Sequence, residues 1–170
     1  MAVDVRILSV RGLFGATIAA PGAQKAFGWS GSYGLKGTGG FFETLGFRPG
    51  VMFAALAGLS ELVGGLFLVH GLRTPLGAAA VLSTMLVGMV RVHLENGFFV
   101  DRNGIEMAFL YASAALGIAR TGRRRILARF PARAEILDRR YVPGGILVLT
   151  LLDAILALVM RRQNQLQTTA

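Results

Sequence analysis

The chain contains no cysteine, so it forms no disulfide, offers no thiolate to a metal or iron–sulfur cluster, and performs no thiol exchange of its own. Charge is scarce as well. Asp, Glu, Lys and Arg make up 16% of the 170 residues, against roughly 25% in an average soluble domain. That figure argues against a water-soluble domain, and the high apolar content excludes a disordered tail. Histidine occurs only at positions 70 and 93. Neither GxxxxGK[ST] nor GxGxxG in a strand-to-helix setting is present, so no phosphate-binding loop is indicated. What is abundant is apolar: 54% of the residues are hydrophobic, and they fall in long runs.

Val51 to Leu72 is interrupted only by Ser60, Glu61 and His70, apart from its glycines. As a helix it would cover roughly 33 Å, the thickness of a hydrocarbon core. Pro75 to Val90 forms a second run that can continue to about Leu94, with proline at a tolerated first-turn position. Val5 to Ala23, Ile105 to Ala119 and Gly144 to Met160 complete the set. Soluble packing of four or five such runs would leave too little polar surface, so the sequence predicts an integral membrane protein. The first run lacks a convincing small-x-small cleavage site and is broken by Arg11, which favours a retained span over a signal peptide.

The net charge of +9 resembles a nucleic-acid signature until the residues are located. Arg120, Arg123, Arg124, Arg125, Arg129, Arg133, Arg139 and Arg140 all lie between the fourth and fifth runs. Basic loops between apolar helices stay in the cytoplasm and meet anionic headgroups. No nucleic-acid partner is expected. This places the N-terminus and the 71–74 turn inside, and the loops 24–50 and 95–104 outside. Arg161 and Arg162 fit poorly if the fifth run crosses, so a helix lying along or re-entering the membrane stays open. The outer loop interleaves Gly28, Gly31, Gly34, Gly37, Gly39, Gly40, Gly46 and Gly50 with Phe27, Trp29, Tyr33, Phe41, Phe42 and Phe47. It reads first as a segment folded onto the membrane surface, with a short amphipathic helix near Thr38–Leu45. The sharper reading is a lid over a cavity between helices.

Several ordered motifs carry a resemblance. Arg11-Gly-Leu-Phe-Gly15 followed by Gly22-Ala-Gln-Lys-Ala-Phe-Gly28-Trp29 resembles the opening span of the DoxX family. Gly34-Leu-Lys-Gly-Thr-Gly-Gly-Phe-Phe42 is similar to its first outer loop, and Ser60-Glu61-Leu-Val-Gly-Gly65 to its second helix. Val92-His93-Leu-Glu-Asn-Gly-Phe-Phe99 and Asn103-Gly-Ile-Glu106 resemble the end of its third helix and the start of its fourth. The resemblance spans about residues 6–120. Pro21 stands where relatives often carry histidine, and residues 121–170 extend past the usual domain. It implies a bacterial inner-membrane protein associated with oxidoreductase systems, including thiosulfate–quinone types, or with responses to quinones and oxidative stress. The expected fold is therefore an all-α four-helix transmembrane bundle with an additional C-terminal apolar helix. Its parts are a DoxX-like membrane domain over 1–120, an arginine-rich cytoplasmic linker over 121–143, and an apolar helix with a polar tail over 144–170.

Depth then selects candidate residues. Glu61 lies about 15 Å below the start of its helix, near the bilayer centre, where an ionisable group marks a functional site by default. Ala54, Ala57, Gly58, Gly64 and Gly65 share its face, so the carboxyl is expected to point into the bundle. It serves either as a structural tie between helices or as a proton carrier or acceptor for a quinol hydroxyl. Gln24, Lys25, Glu61, Arg91, His93 and Glu106 are expected to converge toward one outer mouth, with Arg91 and Glu95 four apart and able to pair. That set reads as a register-setting polar network or as a site for a small polar or quinone headgroup. His70 and His93 fall at opposite ends of antiparallel helices, on the order of 25–30 Å apart, which excludes one haem between them. No metal-ligand spacing is present. Quinone is the one cofactor class implied, and none is bound covalently.

Three function classes compete: a membrane subunit or anchor of a quinone-linked oxidoreductase, a scaffold without chemistry, and a small-molecule transporter. The bilayer and a membrane or peripheral redox protein are the expected partners, and homo-oligomers stay open. Whether the chain catalyses anything is not legible.

Overall fold

The computed structural model describes residues 2–71 and 74–120. The arginine-rich linker, the fifth apolar run and Asp153 lie outside the described residues, as does Arg73. All regular structure among the described residues is helical. Helix α1 (Ala2–Phe27) carries Pro21 within it. A single 3-10 turn (Trp29–Gly31) leads to α2 (Gly34–Thr44), then to α3 (Gly50–His70) and α4 (Thr74–Gly88). From α4 the chain continues through a π-helical turn (Met89–His93) and a 3-10 turn (Leu94–Asn96) before α5 (Glu106–Ala119). Among the described residues two segments, Gly50–His70 and Thr74–Asn96, are long and apolar enough to cross a membrane.

Residue size decides what faces inward. On α3 the buried positions include Ala54, Gly58, Gly64 and Gly65, whereas Met52, Leu56, Leu59, Val63 and Leu66 are exposed. Large apolar side chains outside and small ones inside is the packing of helices in lipid, where close backbone approach replaces hydrophobic burial. The α1–α3 contact illustrates it. Gly15 and Gly22 on α1 face Gly65 and Gly58 on α3, each pair seven residues apart and running antiparallel. A Cβ at Gly65 would sit 2.5 Å from the Gly15 carbonyl oxygen and 2.7 Å from the Ala19 nitrogen. Next to this seam α3 packs on α4, and α4 on α5.

The bundle is asymmetric along its length. At the end where α1 begins and α3 finishes, Ile18, Leu68, Ala78, Val81, Ala115 and Ile118 form a closed core. Phe14 and Tyr111 join it edge to face, with ring centroids 6.2 Å apart. Two helical hydroxyls are satisfied locally: Thr17 Oγ1 donates to the Leu13 carbonyl at 2.9 Å and Thr84 Oγ1 to the Ala80 carbonyl at 3.1 Å. At the other end α2 lies across α3 rather than continuing the bundle. It begins at Gly34, four residues before the expected amphipathic segment.

Pro49, at the N-cap of α3, has no side-chain acceptor, so Glu43 supplies one from α2: its Oε1 accepts the Gly50 N–H at 3.1 Å. A carboxylate at a helix N-terminus also complements the helix dipole. Glu43→Ala is expected to lower stability by about 0.5–2 kcal/mol, with Glu43→Gln losing less because its amide oxygen still accepts. Thermal unfolding in mild detergent measures both.

Candidate functional site

Above the closed core α3 and α4 enclose a cavity of about 340 Å³, roofed by α2 and the turn that follows it. Its volume is near the lower end of the roughly 300–1,000 Å³ typical of small-molecule pockets. Phe41, Phe42, Leu45 and Phe47 form the roof, and Phe53, Leu56, Ala57 and Ser60 come from α3. The α4 side supplies Ser83, Thr84, Met85, Val87 and Gly88, then Val92 and His93 from the π-helical turn, with Ala108 from α5. The rings form a connected wall: Phe42 and Phe47 have centroids 5.9 Å apart, and Phe47 and Phe53 5.1 Å. Phe47 is only 2% exposed.

The charged feature of this wall is an ion pair. Lys25 Nζ lies 2.5 Å from both carboxylate oxygens of Glu61. Glu61 is buried, as its small-residue face predicts, and Lys25 is half-buried. The register of the seam explains the pairing. Lys25 Cβ lies against Gly58, where no side chain intervenes, and the lysine stem extends along α3 to the carboxylate one turn further in. A lysine at the end of α1 thereby delivers its ammonium into the interior.

Of the six sequence candidates, Lys25, Glu61 and His93 line this cavity, and Gln24, Arg91 and Glu106 do not. His93 Nδ1 donates to the Asn103 carbonyl at 2.8 Å, which in the neutral ring makes Nε2 the acceptor. Glu106 instead closes its own loop, its Oε2 accepting the Val100 N–H at 2.9 Å. Arg91 sits in the π-helical turn with its Nε buried and no hydrogen-bond partner for that atom. The expected Arg91–Glu95 pair is not formed. Between the two positions the backbone leaves α geometry, passing from a π-helical turn into a 3-10 turn. His70, at the opposite end of α3, donates from Nδ1 to the Leu66 carbonyl at 2.9 Å.

Sequence reasoning preferred another reading to the roof. Phe41, Phe42 and Phe47 belong to the loop read first as a surface segment and second as a lid, and the fold of α2 back over α3 turns them to the cavity, where Phe53, not singled out in the sequence, joins them.

The DoxX family model matches residues 6–94, more than half of the chain. The chain belongs to the DoxX family. No curated protein and no solved structure matches it. Family membership and the two long apolar helices identify a membrane protein. In this DoxX protein the matched region includes Lys25, Glu61 and His93 together with the whole α2 roof, whereas α5 lies beyond it. Everything that lines the cavity except Ala108 is thus contributed by the part of the chain the family defines.

Proposed function

We propose that this DoxX protein is a multi-pass subunit of the bacterial inner membrane that binds a quinone headgroup for a quinone-linked oxidoreductase system. In this reading α1, α3, α4 and α5 form a four-helix transmembrane bundle, and α2 lies at its periplasmic face. The N-terminus and the linker 121–143 are cytoplasmic, because Arg6, Arg11 and the linker arginines then stay inside. A reporter fused within 121–143 is expected to read as cytoplasmic; a periplasmic signal would reverse the orientation.

The observation that carries the reading is a cavity lined both by aromatic rings and by one ion pair. A flat ring can stack on Phe42, Phe47 or Phe53. Lys25 can donate to a ring oxygen without giving up Glu61, since an ammonium has three protons. His93 offers a second polar contact. A quinone, when bound, supplies two-electron and two-proton carrier chemistry. The residues here would hold its oxygens, and Glu61 and His93 would accept or return protons at those atoms. The chain has no flavin, haem or nucleotide motif, so electrons would come from a membrane or peripheral redox partner.

Purification in mild detergent followed by extraction and spectroscopy tests this. A quinone that co-purifies with the wild type and falls at least tenfold in Glu61→Gln or His93→Ala supports the proposal. A stable partner complex that carries no quinone, and whose activity survives both substitutions, would instead indicate a scaffold.

A further inference from the structure

Only two residues lining the cavity are exposed, Phe41 at 48% and Leu56 at 54%. Leu56 belongs to the exposed apolar stripe Met52, Leu56, Leu59, Val63 and Leu66 on α3. The cavity therefore reaches the surface beside the face where lipid chains lie, and neither exposed lining residue is charged. Beyond Phe41 the roof is closed by contrast, with Phe47 buried and Phe42 and Leu45 half-buried. The ion pair lies at the inner end. Glu61 is five residues along α3 from Leu56, about 7.5 Å of helical rise, enough for one or two fused rings but not for a long chain.

We infer that the cavity is filled sideways from the bilayer through the opening between Phe41 and Leu56, and that its ligand is an amphiphile with a flat, oxygen-bearing head and a single long apolar tail. The head rests near Lys25 and Glu61, and the tail leaves past Leu56 along the α3 stripe, where it lies among lipid chains. This rests on the reading of the cavity as a small-molecule site. It adds that a tail contributes to binding and that access does not pass through the aqueous α2 face.

A membrane-dissolved aliphatic diazirine tests the route on full-length protein in lipid nanodiscs, with carbene adducts mapped by mass spectrometry. Adducts are expected on the stripe residues and also on Ala57 and Ser60 inside the cavity. Leu56→Trp is expected to reduce the Ala57 and Ser60 adducts at least fivefold while the stripe stays labelled. Leu59→Trp, on the same stripe but outside the cavity lining, should leave them unchanged and controls for folding. Absence of cavity adducts in the wild type, or adducts insensitive to Leu56→Trp, overturns the lateral route. A ten-carbon alkyl quinone added before photolysis should suppress the cavity adducts more than the tail-less quinone of the same ring at equal membrane concentration. Equal suppression by both would overturn the tailed-ligand assignment. No suppression by either would sink the quinone reading and leave the lateral route standing.

Discussion

Lys25→Met is expected to cost the folded protein about 3–5 kcal/mol, because it strands the Glu61 carboxylate in the bundle interior without its partner. Glu61→Leu alone should cost less. Lys25 is 28% exposed and can turn its ammonium away from the vacated position, whereas Glu61 is 3% exposed and has no such exit. The double variant Lys25→Met/Glu61→Leu should recover most of the loss and unfold within about 1 kcal/mol of the wild type, as apolar replacements of buried pairs do. Thermal and denaturant unfolding in one detergent, arranged as a double-mutant cycle, measures all three. The comparison separates two roles that a single substitution confuses. If the double variant is stable and no longer retains a quinone, the pair is there for the ligand. If it still retains one, the pair is a tie between α1 and α3 and the site must be sought among the aromatics and His93.

The second large effect is steric. Gly65→Leu is expected to abolish accumulation of folded protein, since its first side-chain carbon already meets the Gly15 carbonyl oxygen at 2.5 Å and the Ala19 nitrogen at 2.7 Å. Those are backbone atoms, which cannot rotate aside as a side chain would. Overpacking usually costs about 1–3 kcal/mol when neighbours can yield, and a whole leucine pressed against backbone exceeds that range. Gly117→Leu is the control: nothing lies within 4 Å of a Cβ at that position on α5. Membrane-fraction yield and size-exclusion profile should collapse for the first variant and stay unchanged for the second. Gly65→Ala should fall between them. Normal yield and a monodisperse profile for Gly65→Leu would mean that α1 and α3 do not cross where the seam places them.

Apolar runs made the large elements readable. The expected starts and ends of α3 and α5 fall within two residues of those observed, because few polar residues compete within them. The inward direction of Glu61 was also legible, since Ala54, Gly58, Gly64 and Gly65 mark one face of α3 and that face is buried. Its partner was not. Lys25 and Glu61 stand in one expected polar set, but their direct pairing appears only when the seam fixes Gly58 beside the lysine stem. That register depends on three-dimensional packing between segments some forty residues apart in the chain. Gly34–Gly40 misled in the opposite sense. Glycine costs about 1 kcal/mol in a helix, so the stretch reads as a loop. Packing overrides that penalty, with the backbone of Gly39 placed directly against Gly50 and Val51. Arg91 and Glu95 differ for a third reason: the i,i+4 rule assumes an α-helix, and here the backbone changes from a π-helical turn to a 3-10 turn between them without any proline to announce it.

The shared charge of Lys25 and Glu61 also bears on how the protein is made. In the proposed four-helix arrangement these residues belong to the first and second crossings, and each alone would burden its helix with an ionised group in hydrocarbon. The lysine is synthesised thirty-six residues before its counter-ion. While α3 is still within the ribosome, α1 therefore has reason to linger in the polar channel of the insertion machinery rather than pass into lipid. Release becomes favourable once the two can leave together, neutralised and already crossed at Gly22 and Gly58. The translocating unit is then a hairpin, with α2 as the loop left on the far side.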